Sequence, residues 1–340
     1  MAGFKKHVNI PVFIPHLGCP NNCVFCNQRS ISGKKEFIAE SVIPEIEEAL
    51  STVKPEQEAE IAFFGGSFTG IDRELMISLL DIGQKYIDGG RVSGMRLSTR
   101  PDYISPEIID ILSGYGVKTV ELGIQSMDEK VLLASKRGHT KEQTERACML
   151  IKEAGFTLIG QMMVGLPAST ADSERKTAQD ICRMGADGAR IYPTVVFSET
   201  ALADMTANGN YVPLTTETSL ARAANALRVF MENDVPVIRL GLQSGEALES
   251  GEGVVAGGYH PAVGELTYSR CFRDMLESVL SEMETEGRSA LVYAHKSDVS
   301  KVIGQRGENR NYLIKRFLLK EFRVISDGTA VKNHPTVSIL

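Results

Sequence analysis

The sequence predicts an α/β protein: a partial (β/α)6 barrel of the TIM type followed by a small C-terminal α+β module. Three observations carry this reading. Strand-like runs alternate with helix-like runs six times in succession, which argues for a parallel sheet with helices outside it. Polar and glycine groups stand at the ends of successive strands: Cys19, Gly65-Gly66-Ser67, Ser98-Thr99-Arg100, Gln125 and Gln161. A barrel gathers the C-terminal ends of its strands at one mouth and would bring these groups together. No Gly-x-Gly-x-x-Gly follows the first strand, so a dinucleotide-binding sheet has little support.

The elements follow in order. A strand from Val8 to Leu17 leads into a cysteine-rich loop, and a helix-like segment spans Val42 to Val53. The apolar run Glu60 to Phe64 stops at Gly65-Gly66, and Arg73 to Asp88 sets Leu75, Leu79, Ile82 and Tyr86 at helical spacing. Met95 to Arg100 is a strand stopped by Pro101; Ser105 and Pro106 then form a helix start, an N-cap with proline at the first helical position. Thr119 to Gln125 is a strand, and Thr140 with Gln143 makes a capping box for a helix ending near Gly155. The strand Thr157 to Val164, the helix Asp172 to Met184 and the strand Gly188 to Phe197 complete six units. A helix over Thr215 to Glu232 and a short strand at Val237 to Leu240 end a first unit, residues 1–240.

Residues 241–264 are rich in glycine and lack periodicity, which reads as a linker or as a lid over the barrel mouth. Residues 265–340 read as a small basic module: a helix (Tyr268 to Glu284), a strand (Ser289 to Ala294), a helix (Asp298 to Ile303), a Gly304-Gln305-Arg306-Gly307 turn, a helix (Glu308 to Leu319) and a strand (Phe322 to Ile325). Strand, helix, Gly-x-x-Gly, helix, strand is the core order of a KH module, whose glycine turn clamps a nucleic-acid backbone. On that reading Lys301, Gly304, Arg306, Gly307 and Arg310 contact RNA; the alternative is a glycine turn in a small α/β cap.

Charge supports a divided molecule. The net charge is −6, yet Glu286 to Leu340 holds 10 Lys+Arg against 5 Asp+Glu, so +5 there leaves −11 elsewhere. A basic end on an acidic chain suggests an anionic partner, nucleic acid first. No apolar run approaches the roughly 18 residues of a membrane span, and no signal peptide is read at the N-terminus. Clustered cysteines suggest a reducing compartment and a metal site, so the cytoplasm is expected.

Cys19, Cys23 and Cys26 are spaced C-x3-C-x2-C on the loop after the first strand. Two centres suit three such thiolates: a structural zinc completed by His16, or a cubane iron–sulfur cluster with one iron left open. In this setting the chain resembles the radical S-adenosylmethionine (SAM) enzymes. The resemblance implies a [4Fe-4S] cluster held by Cys19, Cys23 and Cys26, with SAM on the open iron. Reductive cleavage of SAM would then release methionine and a 5′-deoxyadenosyl radical, fed by a low-potential electron donor of the flavodoxin or ferredoxin type. By position in the family's motifs, Gly65, Gly66 and Ser67 would hold SAM's amino group, and Phe25 would pack on the adenine. Ser98, Gln125, Arg137 and Gln161 would complete the cofactor site.

Within the family, Ser98 to Tyr103, Val120 to Ser126, Arg137 to Thr140 and Ile191 to Thr194 resemble segments of the catalytic subunit of Elongator, over roughly residues 8 to 240. Oxygen-independent coproporphyrinogen oxidase is similar at a greater distance. The resemblance implies a tRNA substrate. It does not extend to the Elongator subunit's acetyltransferase domain, which has no counterpart after Gly264, and Ser98 replaces a glutamate of the relatives. Cys148, Cys182 and Cys271 lie singly in helical segments as buried hydrophobes. Two other readings stand beside RNA modification: a radical SAM enzyme on a small molecule or tetrapyrrole, and a non-catalytic, zinc-stabilised RNA-binding protein.

Overall fold

The computed structural model describes residues 6–14, 19, 23–26, 37–242 and 253–340. The principal sheet uses β1 (Lys6–Ile14), β2 (Gln57–Gly65), β3 (Gly94–Thr99), β4 (Val117–Gln125), β5 (Thr157–Val164) and β6 (Gly188–Pro193). A short β7 (Val195–Phe197) lies apart, and β8 (Val237–Leu240) pairs with β6 as the seventh strand. Every neighbouring pair is parallel, in the order β1-β2-β3-β4-β5-β6-β8. The sheet curls into the half-barrel that the strand-end pattern predicts.

Side chains alternate across each strand, so one set faces the helices and the other the concave interior. Ile10, Val12, Ile61, Phe63, Met95, Leu97, Val120, Leu122, Leu158, Met162, Ala189 and Ile191 belong to one buried apolar core. Between them stand the polar residues Asn9, Glu60, Arg96, Ser98, Glu121, Gln161, Arg190 and Tyr192, alongside the apolar Ala62 and Ile159. The interior of this half-barrel is therefore charged and hydrogen-bonding rather than oily.

The outer helices start as the sequence requires. They are α1 (Val42–Ser51), α2 (Arg73–Asp88), α3 (Pro106–Ser113), α4 (Glu129–Ala134), α5 (Lys141–Glu153), α6 (Ala171–Arg183), α7 (Ala201–Ala207) and α8 (Thr216–Glu232). Ser105 caps α3 ahead of Pro106, and Thr140 with Gln143 forms the full capping box of α5. The short helices α4 and α7 had no periodic signal long enough to announce them.

The strand expected over Gly188 to Phe197 is interrupted. Thr194 still donates its N–H to Val164 O of β5, but beyond it the chain leaves this sheet and β7 pairs antiparallel with β9 (Val254–Gly257). Part of the glycine-rich stretch is thus a strand. Its end is helical too, because α9 (Val263–Leu280) begins five residues before the expected Tyr268. This helix packs along α8 and buries Cys271, Phe272 and Leu276 in the common core.

Beyond it come β10 (Ser289–Ala294), α10 (Val299–Ile303), a 3-10 turn at Gln305–Gly307, α11 (Glu308–Arg316), β11 (Glu321–Ser326) and β12 (Thr336–Ile339). The helix, Gly-x-x-Gly, helix, strand order is as read, with β12 added in a sheet ordered β11-β10-β12. Ala290, Val292, Val302, Leu313 and Phe322 join the same continuous core as the barrel strands.

Candidate active site at the mouth of the half-barrel

The end of β2 and the loop after α4 meet the described cysteines. Cys19 Sγ lies 3.3 Å from Ser67 Oγ, joining the loop after β1 to the Gly-Gly-Ser at the end of β2. Arg137 Nη1 donates to Cys23 Sγ at 3.2 Å, and its Nη2 donates to Gly123 O on β4 at 2.5 Å. Between the cysteines, Val24 N–H donates to Ser135 O at 3.2 Å, while Val24 O accepts from Leu202 N–H of α7 at 2.8 Å. Val24 is buried with Val196, Leu202 and Tyr211, and Phe25 packs half-buried on that cluster. His16, and with it the zinc reading's fourth ligand, lies outside the described residues.

Gly65 could be nothing else. Its φ is +111°, and an added Cβ would come 2.3 Å from Ile14 O. Gln125 is held at φ 66°, beyond a register shift between Gly123 and Gln125. Among the described residues its buried Oε1 has no hydrogen-bond partner, an acceptor placed where a ligand donor would satisfy it.

Gln161 and Ser98 meet, but lower in the lumen. Gln161 Nε2 donates to Ser98 Oγ at 3.1 Å and to Glu121 Oε2 at 2.9 Å. Glu121 is 0% exposed and is the hub of a network that sequence reasoning missed. Arg190 Nη2 donates to its Oε1 at 2.8 Å, Arg190 Nε stands 2.8 Å from Oε2, and Arg96 Nε stands 3.3 Å from Oε1. Arg96 reaches on to Asn9 at 3.2 Å and Glu60 at 4.0 Å. The available signal was a charged residue set among apolar ones on each strand: Arg96, Glu121 and Arg190.

Behind the cysteines lies a second buried group. Arg100 is fixed by Asp102 through two bonds of 2.9 Å and donates to Arg137 O at 2.5 Å. Burial, with the Arg137 and Arg100 cations nearby, pushes the His139 pKa down to about 3. An unfolded His139 takes up a proton near 6.5, the folded one only near 3. The unfolded state therefore binds more protons between these values, and stability is lost as pH falls through that window. His139→Gln should flatten the decline in unfolding free energy below pH 6.5; an unchanged slope would show that another group sets it.

The remaining cysteines lie apart from this site, in α5, α6 and α9. Burial pushes the Cys148 and Cys271 thiols up to about 12 and Cys182 to about 11. In the C-terminal module, Gly304 and Gly307 are buried and shape the turn; a Cβ on Gly304 would come 2.8 Å from Asn309 N. Lys301 is tucked over the Tyr268 ring at 4.5 Å and lies 3.6 Å from Asp298. Arg306 and Arg310 are the exposed cations of the five residues read as RNA contacts.

Residues 13–181 match the Radical SAM superfamily, and residues 186–272 match the Radical_SAM C-terminal domain. An uncharacterized protein of Methanocaldococcus jannaschii is 30% identical over 222 residues, 61% of this chain and 67% of that protein. The chain belongs to the radical SAM superfamily.

This radical SAM chain is similar to the tRNA uridine(34) acetyltransferase of Methanocaldococcus jannaschii, at 29% identity over 195 residues. That match covers 52% of this chain but only 36% of the relative's length. The solved structure of Methanocaldococcus infernus Elp3 with an N-terminal deletion (1–46) has the same fold, with a TM-score of 0.60 at 21% identity. It covers 81% of this chain and 63% of that one. The likeness to Elongator radical SAM cores read from the sequence is borne out, and the chain is an enzyme, which displaces the non-catalytic zinc reading. The family implies SAM and a [4Fe-4S] cluster. The residues present fit both: a thiolate donor set, a glycine at Gly65 where a side chain would collide, and the orphaned Gln125 acceptor.

Proposed function

We propose that this enzyme cleaves SAM reductively and uses the radical to modify RNA, with tRNA as the substrate. The observation that carries the first half is the convergence of Ser67, just beyond the end of β2, and Arg137, from the loop after α4, on Cys19 and Cys23. Cys19, Cys23 and Cys26 would hold the cluster and leave one iron open to SAM. When bound, the pair supplies one-electron chemistry: an electron to the sulfonium, and a 5′-deoxyadenosyl radical that abstracts hydrogen.

The chain's own residues bind and orient. Gly65 and Gly66 allow the backbone to approach SAM's amino group, with Ser67 tethering the cysteine loop beside it. Gln125 offers its carbonyl oxygen to a ligand hydroxyl, Phe25 stands beside the adenine position, and Ser98 with Gln161 lines the lumen below. Val24, Val196, Leu202 and Tyr211 seal the loop's far side against water. The electron comes from a low-potential flavodoxin or ferredoxin type of donor. Among the described residues no helix is long and apolar enough to cross a membrane; a cytoplasmic setting belongs to this proposal.

Three things support RNA: the similarity to a tRNA uridine(34) acetyltransferase, the basic C-terminal end, and Arg306 and Arg310 standing exposed at a glycine turn. Arg306→Ala should weaken tRNA binding across sequences and lower the slope of log affinity against log salt by about 1, the loss of one phosphate contact. Filter binding across a salt series measures it. No salt-sensitive tRNA affinity at low micromolar wild-type protein would remove the RNA reading. The charged lumen around Glu121 then favours the second reading, a polar small molecule or tetrapyrrole. Comparing RNA nucleosides and small metabolites with and without the enzyme separates the two.

A further inference from the structure

We propose that Arg239, on β8, is a recognition residue that takes a backbone phosphate of the RNA when the target nucleotide enters the half-barrel. The inference rests on the RNA reading and names the group by which the barrel itself holds that substrate. Arg239 is half-buried, yet among the described residues it has no hydrogen bond or ion pair. Every other described arginine or lysine that is not exposed stands beside a carboxylate, a cysteine sulfur or an aromatic ring. Taking a cation out of water costs free energy unless a counter-charge or hydrogen bonds repay it. An unpaired, half-buried guanidinium therefore marks a place left for a ligand.

The pairing of the strands sets Arg239 on the lumen face. Arg190 of β6 stands opposite it in the parallel register, and residues paired across adjacent strands project from the same face of a sheet. Arg190 points inward, since it bonds Glu121 and lies over the Phe64 ring at 5.6 Å. Tyr192, two residues further along β6, is within electrostatic reach of both arginines. Among the described residues β8 is the last strand of the sheet, so Arg239 sits at the rim of the curl rather than in its middle.

The charge at this rim is positive. Glu60 and Glu121 balance Arg96 and Arg190 deeper in the lumen, which leaves Arg239 as the cation without a counter-charge. An oxyanion fits such a group, because a guanidinium can give two parallel N–H bonds to a phosphate. In RNA every base is flanked by phosphates, so a nucleotide brought to the mouth of the barrel carries one with it. Arg306 and Arg310 then hold the RNA at the C-terminal module while Arg239 holds it at the site of chemistry.

The test uses the full chain, reconstituted anaerobically with iron and sulfide, and bulk tRNA from a strain lacking the gene. Filter binding is run across a salt series. Arg239→Gln should bind about tenfold more weakly at about 0.1 M salt, with the slope of log affinity against log salt lower by about 1. Arg239→Lys keeps the charge and should keep the wild-type slope, losing only the share of affinity that the planar fork supplies. Arg239→Gln combined with Arg306→Ala should lower the slope by about 2, as separate phosphates on one RNA require. The apoprotein unfolding midpoint of Arg239→Gln should not fall, because no bond within the chain is lost. A wild-type tRNA slope and affinity in Arg239→Gln, beside a lowered slope in Arg306→Ala, overturns the proposal and leaves the RNA reading standing. SAM affinity by equilibrium dialysis should stay within about twofold of wild type. Lost SAM affinity with unchanged tRNA binding overturns the proposal in favour of the SAM carboxylate. Wild-type protein with no salt-sensitive tRNA affinity strikes the RNA reading, and this proposal with it.

Discussion

Replacing Cys19, Cys23 or Cys26 singly with Ala reduces 5′-deoxyadenosine formation from SAM to the uncatalysed background. The reason lies in ligand number. A cluster with three protein thiolates already has one iron open, and losing another ligand exposes a second iron to solvent and exchange. The loop itself should survive, because Val24 holds it through Ser135 and Leu202 independently of the sulfurs. The variants should therefore keep the wild-type circular dichroism and apoprotein unfolding midpoint while losing iron and SAM cleavage together. Cys148→Ala is the control: its thiol lies in the helical layer and should leave SAM cleavage at the wild-type rate. Wild-type cleavage in any of the three cysteine variants would contradict the assignment.

Glu121→Leu should cost about 3–5 kcal/mol of stability, the usual penalty for breaking a buried ion network by removing one partner. Glu121 has no exposed surface, and Arg190, Arg96 and Gln161 all converge on its two oxygens. Removing it leaves two guanidinium groups facing each other in a closed interior. The triple variant Arg96→Met, Glu121→Leu, Arg190→Met should recover much of that loss, since replacing a whole buried ionic group with apolar side chains is often near neutral. Urea unfolding of the apoprotein measures both. A single variant that loses less than about 1 kcal/mol, the range of an exposed pair, would show that the network does not carry the interior. SAM affinity should fall in the triple variant even where stability returns, because Gln161 loses the acceptor that orients its amide.

Much of this was legible from residue order. The strands announced themselves by apolar runs ending at glycine or proline, and the caps at Ser105 and Thr140 fixed two helix starts. The cysteine spacing and Gly65-Gly66 pointed to one mouth because a parallel barrel leaves few other places for strand-end groups. What escaped were pairings distant in sequence. The ribbon of β7 with β9 joins Val195 to Gly257 across a glycine-rich stretch with no periodicity of its own. Glu121, Arg96 and Arg190 sit on three different strands, and nothing local to any one of them says that the other two complete its charge. Arg137 is the instructive case. Its place in a motif was readable, but its partner was not, since a sulfur 114 residues earlier in the chain accepts its hydrogen bond.

The central claim is that the three thiolates hold an incomplete iron–sulfur centre at which SAM is cleaved. The most direct measurement is anaerobic reconstitution of the wild-type chain, with metal analysis and quantification of 5′-deoxyadenosine after a low-potential reductant and SAM are added. The account predicts about four irons per chain and reductant-dependent 5′-deoxyadenosine. One zinc per chain, no iron, and no product from SAM would contradict it.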